Sequence, residues 1–443
     1  MSLAKKSFLI FRYVRVIYGL YIFLLMEYRI KDKSLSSYGK KKIEWAESHM
    51  PVMLSLQKKY QESKPLKNLV IGGCLHVTKE TAVLIKTLHA AGAEIAWSGC
   101  NPLSTSDDIA ASLVVDDGLS IFASRGVTSK EYYDDIYSVL KFKPHLTIDD
   151  GADLTIEFHK TLNDYGANII GGTEETTTGV MRLRALENTN KLQYPIIAVN
   201  DAETKHDFDN VYGTGQSALD GILRATNILI AGKTVVVAGY GHVGKGIASR
   251  AKGHGASVVI TEVDPINALK AKMDGFMVKP MLEASALGDI FITSTGCRDV
   301  ITGIHIEKMK DGAILSNAGH FNVEISIDDL KKLSTSVHNM NENVEQFILG
   351  NGNKINLIGE GRLVNLVAAE GHPSEVMDMS FANQFLSVLK LAANRGSFEN
   401  KIYDIDREQD LNIAQLKLES MGIKIDSLTQ NQNRYLHEYG EGT

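Results

Sequence analysis

Cysteine is nearly missing from this chain: only Cys74, Cys100 and Cys297 occur in 443 residues. Few, odd in number and far apart, they exclude a disulfide framework and a CxxC metal site. They fit a reducing compartment, so a cytoplasmic location is expected. Proline is scarce as well, with 8 residues against 38 glycines, a balance that suits tight strand-to-helix turns better than disordered linkers. No block of positive charge stands out, and 47 Lys plus Arg against 53 Asp plus Glu give a net charge of −6. That argues against a nucleic-acid or membrane-surface partner. Long apolar runs are also lacking. Residues 7–25 are mostly apolar, but Arg12 and Arg15 interrupt them, and the longest uncharged run, 16–26, holds 11 residues. A bilayer span needs about 20. No small-x-small cleavage site follows. Residues 1–25 are therefore expected to be an upstream or non-native extension with Met26 as the functional start; an interfacial helix and an export signal are the weaker alternatives.

What is present is an ordinary globular composition, 44% hydrophobic and 23% charged, in a chain long enough for two or three domains. After a helical lead-in over 40–60, short apolar runs alternate with amphipathic stretches. Strands are expected at 68–71, 94–97, 120–122, 145–148, 167–170 and 195–199, with helices near 79–91, 107–115 and 130–140. A helix over 217–230 precedes a second series of strands at 234–238, 257–261, 289–293 and 313–315. Helices are expected again at 382–394 and 411–421. Such alternation reads as two α/β units in tandem, each built from parallel βαβ turns. Functional loops should gather at the carboxyl ends of the strands.

In the second series Val235-Val236-Val237-Ala238 runs into Gly239-Tyr240-Gly241-His242-Val243-Gly244, where a helix begins. A GxGxxG hexapeptide alone is weak. Between a buried strand and a helix it is the geometry in which backbone N–H groups receive a pyrophosphate. Glu262 lies 18 residues beyond Gly244, at the end of the next strand. A carboxylate there accepts from a ribose diol and repels a 2′-phosphate, so the expected cofactor is NAD rather than NADP.

Nine ordered motifs carry a closer likeness. They are Gly73-Cys74-Leu75-His76-Val77-Thr78-Lys79-Glu80-Thr81-Ala82; Asp149-Asp150-Gly151-Ala152-Asp153-Leu154-Thr155; Glu174-Glu175-Thr176-Thr177-Thr178-Gly179; and Asn200-Asp201 with Lys205, Asp209 and Asn210. The glycine loop follows, then Thr261-Glu262-Val263-Asp264-Pro265-Ile266-Asn267. Ser316-Asn317-Ala318-Gly319-His320-Phe321, Gly361-Arg362-Leu363-Val364-Asn365-Leu366 and Gly371-His372-Pro373 complete the series. From about residue 26 onward, over nine tenths of the chain, the sequence resembles the S-adenosylhomocysteine hydrolases, in particular short-tailed archaeal and thermophile members.

The resemblance implies two Rossmann-like, doubly wound parallel-sheet domains plus a small helical C-terminal segment. A discontinuous substrate domain would span 26–205 and 373–405, an inserted NAD domain 206–372, and an oligomerisation segment 406–443. A hinge between the domains and a homotetramer are expected. The implied reaction is reversible hydrolysis of S-adenosylhomocysteine to adenosine and homocysteine, with recycled NAD and no metal. By motif, Lys205 and Asp209 handle the ribose 3′-oxygen and Glu175 fixes the diol. Asp150 and His76 serve proton transfers near C4′ and C5′. Asn200 and Asn210 orient the lysine and the nicotinamide side, and His320 meets both nicotinamide and ligand. His372 and Thr78 border adenine, with Glu80 reaching its amine. Cofactor contacts fall to Thr176, Thr177, Thr178, Asn210, Gly239, Gly241, His242, Val243, Gly244, Glu262, Asn267, Ala318, Gly319, His320 and Asn365.

Taken singly these residues are ambiguous. Lys205 and Asp209, four apart, read equally as a surface ion pair, Asp149-Asp150-Gly151 as a turn, and His76 or His320 as a packing histidine. Cys74 and Cys297 read as structural, because the implied mechanism needs no covalent thiol. Four departures from the family stand out: Thr214 where cysteine is frequent, Glu370 before Gly371-His372, Lys86 where Glu or Gln is usual beside a cation position, and a short C-terminus. The last leads to an expectation of easier NAD exchange. The rival readings are hydrolysis of the inosyl thioether, a net NAD-dependent dehydrogenase and a non-catalytic NAD-binding paralogue.

Overall fold

The structure, a computed structural model, describes residues 11–17 and 20–440. Strands β1 (Phe11–Ile17) and β2 (Leu20–Met26) form an antiparallel pair, not the interfacial helix weighed for this stretch, and they join neither of the larger sheets. The next strands in the chain are β3 (Val70–Cys74), β4 (Glu94–Ser98), β5 (Ser120–Phe122), β6 (Leu146–Asp149), β7 (Gly171–Glu174) and β8 (Ile196–Ala198). Then come β9 (Thr234–Ala238), β10 (Ser257–Thr261), β11 (Met277–Val278), β12 (Ile290–Thr293), β13 (Ala313–Asn317), β14 (Ser334–Asn341), β15 (Val344–Leu349), β16 (Lys354–Ile358) and β17 (Ile402–Asp404).

Seven strands make an all-parallel sheet in the order β17-β8-β7-β6-β3-β4-β5. Eight make a second sheet, β11-β10-β9-β12-β13-β16-β15-β14, parallel except for the antiparallel edge β16-β15-β14. Both are doubly wound: the order reverses beside β3 in the first and beside β9 in the second. Helices cover both faces, so the central strands are buried on two sides. In β9, Val235 and Val237 enter one apolar cluster while Val236 enters the opposite one, the period of two expected of a pleated strand.

Most expected elements lie within two or three residues of the observed ones. The strand expected at 167–170 is displaced: Ala167 and Asn168 form an exposed turn, and the strand is β7, four residues on. β7 is fully buried but carries only glycine, threonine and glutamate, so apolar composition does not mark it. The hairpin β14–β15 has an exposed, polar outer strand and no alternation to betray it.

After the second sheet the chain returns along the 20-residue helix Ser374–Ala393, which packs against the first. Its polar side chains fix neighbouring segments. Thr173 Oγ1 donates to Gln384 at 2.5 Å, Asn383 Nδ2 donates to Thr204 Oγ1 at 2.8 Å, and Asp378 accepts from the Val52 and Met53 amides at 3.2 and 2.8 Å. Asp378 also pairs with Lys417 Nζ at 2.8 Å and is fully buried. Removing it leaves the partly buried Lys417 ammonium without its counter-ion and uncaps the helix Pro51–Tyr60. Asp378→Ala is expected to lose about 3 kcal/mol of unfolding free energy, read as a lower denaturant midpoint with an unchanged slope.

Candidate active site

In a doubly wound sheet the crevice at the strand-order reversal receives ligands. Here the two crevices face each other across one cavity of about 1080 Å³, lined from both sheets. That volume suits a dinucleotide beside a smaller ligand rather than one metabolite alone.

The second sheet supplies the dinucleotide side. Gly239 has φ +94°, and a Cβ on Gly244 would lie 2.0 Å from the Gly239 carbonyl oxygen, so the loop closes tightly onto helix His242–Gly253. Gly241 is the N-cap of that helix and contributes no side-chain acceptor, leaving the first-turn amides available to an anion. Glu262 accepts from the amides of Tyr240, Val263 and Asp264 at 2.7, 2.6 and 3.0 Å. Charge-assisted bonds of this kind hold a carboxylate in place against a 2′-phosphate. Asn365 is buried on the wall; its Nδ2 donates to Ser217 at 3.2 Å while its Oδ1 has no partner among the described residues. A buried acceptor without a donor is costly, and a carboxamide amine satisfies it. These features fit NAD.

The first sheet supplies ionisable groups in two clusters. Around Lys205, Nζ lies 3.1 Å from Asp209 Oδ2 and 3.9 Å from Glu175 Oε1, and it donates to Asn210 Oδ1 at 2.9 Å and Asn200 Oδ1 at 3.4 Å. Burial alone pulls this ammonium down, but the Asp209 and Glu175 carboxylates outweigh it and its pKa sits above the ordinary lysine value. Burial works against Asp209 too, yet His372 and Lys205 hold its carboxyl well below the usual range. His372 Nδ1 touches Asp209 Oδ1, and its Nε2 meets Thr214 Oγ1 at 3.0 Å. Burial pushes Glu175 up to about 7, although Ser380 and Gln384 both donate to it at 2.5 Å.

The second cluster joins both sheets. His76 Nε2 lies 3.4 Å from Asp150 Oδ2 and its Nδ1 meets Ser104 Oγ at 2.6 Å. His320, in the loop after β13, places Nδ1 at 3.5 Å from Asp150 Oδ1. Gly151, at φ +99°, lets the β6 loop approach so closely that a Cβ there would sit 2.3 Å from His320 Nε2. Arg182 braces this contact. It donates to the Gly151 carbonyl, bonds Asp153 at 2.7 Å and lies over the Phe321 ring at 5.4 Å. Burial lowers the His76 pKa to about 4 against the pull of Asp150.

Of the expected site residues, most line the cavity: His76, Thr78, Glu80, Asp150, Glu175, Thr176, Thr177, Thr178, Asn210, Gly239, Gly241, His242, Val243, Glu262, Asn267, Ala318, Gly319, His320, Asn365 and His372. Asn200, Lys205, Asp209 and Gly244 sit behind the wall, bonded to or packed against residues that form it. Two departures fall elsewhere. Lys86 pairs with Glu47 at 2.6 Å outside the cavity. Glu370 is two-thirds exposed, pairs with Arg224 at 3.3 Å, and does not bring charge to the wall. Cys74 is buried, with burial pushing its thiol up, while Cys297 is exposed at the cavity rim.

The sequence reading missed Ser104, Arg182, Ser380 and Gln384. Only the last two left a signal: two polar residues four apart on an apolar helix face. Glu324, which accepts from Thr295 and Gly296 amides at 2.9 Å and shapes the loop after β12, left none.

Fold and site together define an NAD-binding enzyme in which two doubly wound units share one cavity. The sequence profile described as S-adenosyl-L-homocysteine hydrolase matches residues 27–165, and that of its NAD-binding domain matches 210–371. The adenosylhomocysteinase of Saccharolobus solfataricus is 57% identical over 94% of this chain and 100% of its own. The S-inosyl-L-homocysteine hydrolase of Methanococcus maripaludis is 54% identical over 94% and 99%, and the adenosylhomocysteinase of Aquifex aeolicus 52% over 94% and 100%. The chain belongs to the S-adenosyl-L-homocysteine hydrolase family, and its cofactor is NAD.

Because His76 is held neutral when folded, the unfolded chain binds one more proton between about pH 6.5 and 4, and stability falls as the pH drops through that window. His76→Gln removes this term. The difference in unfolding free energy between the native and variant proteins should shift by up to about 3 kcal/mol from pH 7 to pH 4.5, measured by denaturant titration at each pH.

Proposed function

We propose that this enzyme reversibly hydrolyses S-adenosyl-L-homocysteine to adenosine and L-homocysteine. The observation that carries the reading is the meeting, at one cavity beside the dinucleotide loop, of the Lys205–Asp209–Glu175 and His76–Asp150–His320 clusters. NAD held by the glycine loop and Glu262 would supply a recycled hydride acceptor for transient oxidation at the ribose 3′-position.

The protein's own residues then have distinct work. Lys205, charged and fixed by Asp209, holds the 3′-oxygen and manages its proton, while Glu175 orients the ribose diol. The C4′ proton, acidified by the neighbouring carbonyl, passes to the Asp150–His76 pair. That pair gives the proton to the sulfur as homocysteine leaves, then takes one from the adding water and returns it to C4′. His320 closes the cavity over the reacting carbons. The two asparagines, Asn200 and Asn210, keep the lysine aimed. Thr78 and His372 flank the base, and the buried Glu80 carboxylate, braced by Ser374 at 2.7 Å, accepts from an exocyclic amine.

The Glu80 carboxylate favours the adenosyl over the inosyl thioether, because an amine donates where the inosyl carbonyl repels. We assign 26–205 and 373–405 to substrate, 206–372 to NAD, and 406–443 to assembly of a cytoplasmic homotetramer. The free cysteines and the exposed Ile423, Ile425 and Leu428 are consistent with these last assignments. Among the described residues no helix is long and apolar enough to cross a membrane.

Purified protein incubated with S-adenosylhomocysteine should release free thiol without net NADH absorbance; accumulating NADH would favour a dehydrogenase, and neither signal a binding protein. Lys205→Met should lower kcat at least about 10³-fold while NAD remains bound. Glu80→Gln, whose amide both donates and accepts, should reduce the adenosyl-to-inosyl ratio of kcat/KM by about 10- to 100-fold.

A further inference from the structure

Outside the reacting clusters, a second group of ionisable side chains gathers at the edge of the cavity. His206 and Asp207 open the segment His206–Gly213, directly after Lys205, and His242 is the first residue of the helix that receives the dinucleotide. His206 Nδ1 lies 3.0 Å from Asp207 Oδ1, and His242 Nε2 lies 3.4 Å from the same oxygen. All three atoms fall within 4.8 Å of one another.

These separations have a coordination meaning. A tetrahedral zinc ion with bonds of about 2.0–2.1 Å holds neighbouring donors about 3.3 Å apart, close to both measured distances. Two imidazoles and one carboxylate are a zinc donor set, and three protein ligands leave one position open. The geometry does not depend on a loop. A Cβ on Gly246 would lie 2.0 Å from the Val211 carbonyl oxygen, so the two helical segments are in backbone contact and hold the imidazoles together, with ring centroids 4.3 Å apart. The side chains are partly exposed, which leaves an ion a path from solvent. Opposing charge is nearby: Lys245 and Lys270 both act on His242 and weaken the attraction of a cation.

We propose that His206, Asp207 and His242 form a zinc-binding site that ties the segment bearing Lys205, Asp209 and Asn210 to the dinucleotide helix. The site is separate from the His76–Asp150–His320 group, whose ligand atoms also lie within 4.8 Å of one another, and the test must distinguish the two. NAD-loaded, chelator-washed protein is titrated with zinc by calorimetry, then with Co²⁺ to read its visible ligand-field bands.

One equivalent per chain is expected. Affinity should fall by at least about tenfold in His206→Gln and in Asp207→Asn, with NAD content unchanged as a check on folding. The same stoichiometry and bands should persist in His76→Gln. Binding that survives His206→Gln but disappears in His76→Gln would give the ion to the other group and overturn the proposal. So would a native protein that takes up neither metal. Neither outcome bears on thiol release, so failure here leaves the proposed reaction standing.

Discussion

Everything in the cavity depends on keeping an ammonium ion dry. Lys205 is almost completely buried, and an unpaired charge in that position would give up its proton or open the structure to water. Asp209 and Glu175 prevent this, but at a cost of their own, because each carboxylate is buried as well. Asp209 stays ionised because Lys205 and His372 both lie against it. Glu175 is left near neutrality, at about 7, despite donors from Ser380 and Gln384. One carboxylate is thus a fixed counter-ion and the other a group whose charge is in play. That asymmetry between near neighbours comes from placement, not residue type.

The same logic extends across the cavity. His76 is held neutral by burial while Asp150 touches two imidazoles, one from each sheet. Proton acceptors and donors therefore face one another across the cavity that the two crevices share. Neither sheet alone contains a complete set: the first has no dinucleotide loop, and His320 and Asn365 come from the second.

Much of this was legible beforehand, for specific reasons. Strands such as β9 and β12 are mostly apolar and branched, and Val235, Val236 and Val237 announce themselves. The glycine loop is constrained by steric contacts that only those residues tolerate. The motif residues could be named because nine motifs occur in order, although each residue was ambiguous alone. What stayed hidden was long-range. β7 is buried by its neighbours rather than by its own apolarity. Ser104 reaches His76 across 28 residues, and Ser380 reaches Glu175 across 205. Glu370 stands next to a motif yet points away from the cavity to Arg224, because sequence adjacency says nothing about which way a side chain points.

The chain passes from the first sheet to the second after β8 and returns before the helix Ser374–Ala393. Two crossings constrain the placement of one sheet against the other more than a single crossing would, and with it the 3.5 Å approach of the imidazole after β13 to the carboxylate after β6.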